Sequence, residues 1–242
     1  MKRIAYFILI ASLALIFYIG DVPTEIAEKT IVTAIGIDSK DGRYKVTMQI
    51  FRPDGSGSDT AVDPSLPNVS ILKGSGKTIG EAIKECKSKL GGEMYIGKNR
   101  IIIFGNKTDL SDIEKLAGYF IDDPECYYKV DCAAAEDTAE KMLEIPVLGG
   151  AVGSERYVQM IRSAKNSSRF KECTLDELYT AMLSEDKTVI MPMFGKCGDK
   201  KDQSNSSDAG QNAEEIKPAS EIKLDKCAVF IDGKYSYSID ST

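Results

Sequence analysis

The run Gly74-Ser75-Gly76-Lys77-Thr78 carries the most suggestive chemistry in this chain, because it reads like the end of a phosphate-binding loop. Such a loop needs a glycine, four residues, then Gly-Lys-Ser/Thr, so that its backbone can curl round the phosphates while the lysine reaches them. Counting back from Gly76 puts Ile71 where the first glycine belongs. The dinucleotide pattern fails as well, since Ile79 stands where its third glycine is needed. The same residues suit a helix start: Thr78 caps it, and Glu81 three residues later completes a capping box. No nucleotide or other cofactor is expected.

The other chemical groups point the same way. The chain has no histidine, so the commonest general base and metal ligand is missing, and neither a Ser-His-Asp nor a Cys-His site can be built. Two carboxylate pairs, Asp122-Asp123 and Glu136-Asp137, invite an acid/base reading. Neighbours on a strand or turn point apart, however, and Asp137 suits a helix cap. The six cysteines (Cys86, Cys126, Cys132, Cys173, Cys197, Cys227) form no CxxC pair and read as buried free thiols rather than zinc ligands or a disulfide framework. Cys126 and Cys132 share a parity and would pack on one face. No catalytic, cofactor-binding or metal-binding residue is assigned, and the chain is not expected to be an enzyme.

Apolar content of 43%, charged content of 28% and a net charge of −6 describe an ordinary folded body, and the negative balance argues against nucleic acid. Before that body comes a leader. Lys2 and Arg3 precede sixteen apolar or small residues, Ile4 to Ile19, that stop at Gly20-Asp21. As a helix this run would span about 24 Å, short for a hydrocarbon core of about 30 Å but able to cross with local thinning. The two cations keep the N-terminus cytoplasmic and send the rest outward. No small-x-small site ends the run, and no cysteine occurs before Cys86. The leader is read as an uncleaved membrane anchor.

The elements of the body follow from periodicity. Residues 31–38 and 44–50 form a strand pair turned at Asp41-Gly42, and residues 52–76 read mainly as a loop. A helix from Thr78 to about Leu90 carries Ile79, Ala82, Ile83, Cys86 and Leu90 on one stripe. "RIIIFG" suits a strand buried on both faces. Ser111 and Glu114 open a helix with Ile113, Leu116, Ala117 and Phe120 inward, a strand follows near "YYKVDCAAA", and a helix runs from Asp137 to about Ile145. Pro146 and Gly149-Gly150 mark a domain boundary, dividing 25–146 from 151–242. Beyond it lie a helix from Ser154, a second capping box at Thr174 and Glu177, and the strand "TVIMPMF", placed at an edge because of Pro192. Residues 198–219 are expected to be disordered, and "CAVFIDGKYSYSI" reads as a hairpin about Asp-Gly. The class is α+β: mixed sheets flanked by amphipathic helices, in two domains.

The ordered motifs "EIAEKTIVTAIGID", "YKVTMQI", "GKTIGEAI" and "YIGKNRIIIFG", then "TLDELYTAML", "VIMPMFG" and "DKCAVFIDGK", resemble the spore germination Ger(x)C lipoproteins, the C subunits of nutrient germinant receptors. The resemblance spans roughly Glu25 to Gly233. It implies a non-catalytic protein on the outer face of the spore inner membrane, working beside integral membrane A- and B-type subunits, with a third domain expected after the second. The chain departs from the family pattern in three places. Gly20 or Asp21 stands where the family carries its lipid-bearing cysteine, so no lipid attachment residue is assigned. Lys98 stands where a histidine is common, and the third domain does not follow before Thr242. The competing reading, from another class, is a membrane-tethered small-ligand binding protein acting alone.

Overall fold

The computed structural model describes residues 30–51, 69–90, 93–145, 153–197 and 222–240, together with the single residue Arg3. The leader, the expected boundary at 146–150 and the segment 198–219 lie outside the described residues. Each sheet strand begins from a simple sequence cause. β1 (Thr30–Lys40) and β2 (Arg43–Phe51) pair antiparallel about Asp41 and Gly42, whose φ of 53° and 71° are the positive values a tight right-twisted hairpin demands. β8 (Ile222–Ile231) and β9 (Lys234–Asp240) repeat the device at Asp232 and Gly233.

One mixed sheet of nine strands, rather than several, runs in the order β3-β2-β1-β5-β6-β7-β8-β9, with the two-residue β4 (Met94–Tyr95) beside the start of β1. β5 (Ile101–Gly105) and β6 (Asp131–Ala135) lie parallel to β1 in its centre. β5 is buried throughout, as its unbroken apolar run requires, because helices cover both faces of the sheet. On one face Ile102, Phe104, Cys132 and Ala134 meet α1 (Ile79–Leu90), α2 (Ile113–Asp122) and α5 (Leu175–Leu183). On the other, Ile101, Ile103, Ala133 and Ala135 meet α3 (Ala139–Leu143) and α4 (Gly153–Asn166). The α+β class therefore holds. Strands from both sides of residues 146–152 share this sheet, since β6 pairs parallel with β7 (Thr188–Lys196).

Several expectations need correction. The stretch 52–76 is not all loop: Val69–Gly76 forms β3, an outer strand antiparallel to β2. Its lysine- and glycine-bearing second half hides the strand, because among the described residues only the edge paired with β2 imposes order. "TVIMPMF" is not an edge strand, since β7 sits between β6 and β8. Pro192 is tolerated because β6 joins β7 only at Met193 and Phe194, one residue later, so its missing N–H breaks no bond on that side. Helix α2 is capped by Asp112 rather than Ser111, and α3 by Thr138 rather than Asp137. Cys126 lies in a loop, although it packs on the same cluster as Cys132.

Candidate functional site

The Gly74–Thr78 run resolves into packing. Gly74 and Gly76 face α1, and an added Cβ would lie 2.1 Å from the Ala82 carbonyl oxygen at Gly74 and 2.5 Å from Glu81 Cβ at Gly76. The glycines let a helix lie directly on a strand. Thr78 Oγ1 accepts from the Glu81 amide at 3.1 Å, while Glu81 Oε2 accepts from the Lys77 amide at 2.8 Å, so the reciprocal bond closes one residue earlier than expected. The second box forms as read, with Glu177 Oε2 accepting from the Thr174 amide at 3.2 Å.

Three of the four paired carboxylates make local contacts. Glu136 binds Lys226 at 2.9 Å and Lys223 at 3.7 Å, Asp137 binds Lys141 at 2.6 Å, and Asp123 accepts from the Glu125 amide. All six cysteines are free thiols. Burial pushes Cys86 up to about 11 and Cys173 up to about 12, and lifts Cys132 well above its ordinary value, so these groups stay protonated and unreactive. Among the described residues no cluster of potential ligands could hold a metal ion.

One place on the surface is organised differently. A cleft of about 570 Å³ opens at the end of the sheet where β1, β5 and β6 begin. Its walls come from four separated segments. The turn before β5 supplies Lys98, Asn99 and Arg100, held by Asn99 N donating to Ile96 O at 2.8 Å and Arg100 N to Thr33 O at 3.0 Å. The loop before β6 supplies Tyr127, Lys129 and Asp131; α4 supplies Arg162, and the loop before α5 supplies Glu172 and Thr174. The two loops are stitched together. Cys132 N donates to Cys173 O at 2.7 Å, Leu175 N to Val130 O at 3.0 Å and Asp176 N to Tyr128 O at 3.2 Å. Gly97 allows the turn to press against the second loop, since a Cβ there would sit 2.6 Å from Glu125 O.

Four cations thus face two carboxylates in a chain that is acidic as a whole. Glu172 is engaged by Lys165, and Arg100 reaches Glu155 only at 3.8 Å across exposed surface. Asp131 is raised by burial and by nearby Glu172, with Arg162, Arg100 and Lys165 pulling the other way. Lys98, Lys129 and Arg162 make no salt bridge within 4 Å among the described residues. Asn99 is only 9% exposed, and its Oδ1 is buried with no hydrogen-bond partner. At the rim, Tyr127 and Tyr128 are 58% and 52% exposed, with ring centroids 5.7 Å apart and Lys129 Nζ 5.9 Å from the Tyr128 ring. The arrangement is a cleft of four cations and two carboxylates with an aromatic lip.

The comparison with known families decides the assignment. The model described as "Spore germination protein N-terminal domain" matches residues 23–196, well over half of the chain. The chain belongs to that family. No curated protein and no solved structure matches it. For this germination-family chain the matched region takes in β1 to β7, hence all four segments that wall the cleft. Of the cleft residues the sequence singled out Lys98, through the family pattern, and Thr174, as a helix cap. Arg100, Lys129, Arg162 and Asn99 passed as ordinary surface residues. The available signal was positional: Lys98-Asn99-Arg100 and Tyr127-Tyr128-Lys129 each directly precede a strand of one parallel pair, which brings the two triplets together.

Proposed function

We propose that this protein acts in spore germination as a non-catalytic subunit of a nutrient germinant receptor, tethered to the outer face of the spore inner membrane by Ile4–Ile19. The role in germination follows from the family match over residues 23–196, which is the observation that carries the reading. The receptor-subunit role, the tether and the partners, integral membrane A- and B-type subunits, are the finer part of the proposal. The absence of histidine from the sequence supports an interaction module over a hydrolase or metalloenzyme. The leader supports tethering without lipid, since a diacylglyceryl anchor needs a cysteine thiol and Gly20 and Asp21 offer none.

Affinity purification of the full chain from detergent-extracted spore membranes is the test. Recovery with two integral membrane subunits is expected. Recovery alone, in the same extract where those subunits are abundant, would overturn the subunit reading in favour of a binding protein acting by itself. Mass spectrometry of the extracted chain should find Met1–Gly20 still attached and no acyl group; a soluble chain starting at or after Gly20 would overturn the tether.

A further inference from the structure

We infer that the cleft at the amino ends of β1, β5 and β6 docks the phosphate of an anionic phospholipid headgroup, pressing that end of the sheet against the membrane. The inference rests on the tethering reading for the source of the ligand, but its chemistry comes from the cleft itself.

Charge is the first argument. Elsewhere on the molecule clustered lysines are matched by close carboxylates: Lys45 and Lys73 by Glu140 and Glu144, and Lys223 and Lys226 by Glu136 and Asp225. In the cleft Lys98, Lys129 and Arg162 have no carboxylate within 4 Å among the described residues. Four cations there face only Asp131, which feels Arg162 and Arg100, and Glu172, which Lys165 engages. They converge from segments that backbone bonds between loops hold in place. Uncompensated cations repel one another, so gathering them in a chain of net charge −6 is unfavourable until an anion enters. A phosphate group supplies that charge and accepts hydrogen bonds from lysine and arginine together. Asn99 is the second argument. Its Oδ1 is buried and without a hydrogen-bond partner among the described residues. Being an acceptor, it calls for a donor beside the phosphate, such as a headgroup hydroxyl or a bound water, and not for the phosphate oxygens themselves.

Topology is the third argument, and it selects the lipid over a free phosphate. β1 runs parallel to β5 and β6, so Thr30, where the chain enters the fold, lies at the same end of the sheet as Arg100 and Asp131. Ten residues, 20–29, separate the end of the apolar leader from Thr30. Fully extended they reach at most about 36 Å. A leader held in the bilayer therefore keeps the cleft end of the sheet within reach of the headgroups, although this span is comparable to the length of β1 and does not by itself bar the opposite end. The exposed Tyr127 and Tyr128 suit that position, because tyrosine places an apolar ring and a polar hydroxyl across a membrane interface. Without the cationic cleft, so acidic a chain would be repelled from an anionic leaflet.

The experiment uses the full chain. Flotation with phosphatidylcholine vesicles reports the tether alone. Amide exchange at residues 97–100 and 127–131 is then compared in nanodiscs of phosphatidylcholine with and without phosphatidylglycerol. Protection only with phosphatidylglycerol is expected. Short-chain phosphatidylglycerol, titrated below its micelle concentration, should protect the same amides and should bind about 25-fold more weakly to the Lys98→Gln/Lys129→Gln protein, at about fivefold per cation. Both side chains are exposed, so the variant folds. Lys40→Gln/Lys107→Gln, with the same charge change at the other end of the sheet, should bind as the parent does. No protection with phosphatidylglycerol, or equal weakening in both double variants, overturns the inference. Competition by inorganic phosphate at the same concentration as the short-chain lipid makes the ligand a free phosphate and overturns the lipid assignment. Failure to float on phosphatidylcholine, with short-chain lipid still bound at the cleft, overturns the tether while upholding the cleft chemistry.

Discussion

Replacing Gly74 by alanine separates the two readings of the glycine-rich run. In β3 this residue lies under α1, and a Cβ would meet Ala82 O at 2.1 Å, Cys86 Sγ at 2.8 Å and Cys86 N at 3.0 Å. A carbon needs about 3.3 Å or more from a carbonyl oxygen, so the helix backbone has to retreat by about 1 Å. It cannot do so locally, since Ile79, Ala82, Ile83 and Cys86 are all buried against the sheet at 1% exposure or less. Overpacking alone costs roughly 1–3 kcal/mol, and partial loss of the helix contacts brings the expected total to about 2–4 kcal/mol. Gly118, mid-helix in α2 with nothing within 4 Å of its added Cβ, is the control: alanine there should stabilise by about 0.5–1 kcal/mol. Urea unfolding of the parent and the two single variants reads both signs, provided the slopes agree. A Gly74→Ala protein within about 0.5 kcal/mol of the parent would refute the packing argument, being smaller than any overpacking cost. The phosphate-loop reading makes an independent demand: Mg-ATP should raise the melting temperature of the parent but not of Lys77→Ala. We expect it to raise neither.

Two further outcomes follow from burial. A thiol reagent at pH 8 should modify exposed Cys197 quickly, with Cys132 and Cys173 reacting only at the rate of unfolding, and native-state labelling of either at the Cys197 rate would show that the core opens locally. The Asp38 carboxylate accepts from the first amides of α3, Ala139 N at 2.8 Å and Glu140 N at 3.0 Å, so Asp38→Ala should destabilise by about 1–2 kcal/mol. Burial outweighs those bonds and raises the Asp38 pKa, hence the native state holds the proton more tightly than the unfolded chain. Its contribution is full below pH 3.8, the unfolded value, and is lost as pH rises through the raised native one. Relative to Asp38→Asn, the parent should gain stability in acid; an NMR titration placing Asp38 below 3.8 would reverse the sign.

How far the fold was legible depended on whether its causes were local. Both Asp-Gly hairpins, the inward stripes of α1, α2 and α5, and the doubly buried β5 follow from spacing within a dozen residues, and the structure has them where periodicity put them. β3 was illegible because, after Val69 and Ile71, its second half Lys73–Gly76 has little strand propensity; it is ordered by the edge of β2 and by a helix that needs small residues beneath it. Pro192 misled for a related reason. The rule excludes proline from paired positions, and only the register of β6 against β7 reveals that its N–H side is unpaired. The cleft is the extreme case. Its residues span Lys98 to Thr174, and each alone is a surface charge or a surface ring. Parallel pairing of β5 with β6 makes their leading loops neighbours, a fact of topology that no window of sequence contains.

The position of the cleft also has a structural logic. Ligands of open parallel sheets usually sit outside the carboxyl ends of the strands, where the loops splay apart. Here that end is closed from within. Asp38, at the carboxyl side of β1, caps α3, and Gly105 in β5 admits its carboxylate, since a Cβ there would lie 2.0 Å from Asp38 Oδ1. Asn106, after β5, donates through Nδ2 to Glu136 O at 2.6 Å and through its amide to Asp137 O at 3.0 Å, and Thr108 donates to Ile37 O at 2.9 Å. Lys45, Lys73 and Glu140 neutralise one another beside it. Hydrogen bonds and charges are thus spent on one another at the carboxyl end, while at the amino end Lys98, Lys129 and Arg162 have no salt bridge and Asn99 Oδ1 no hydrogen-bond partner among the described residues. The end at which the chain enters the sheet is therefore the one left with spare polar capacity among the described residues.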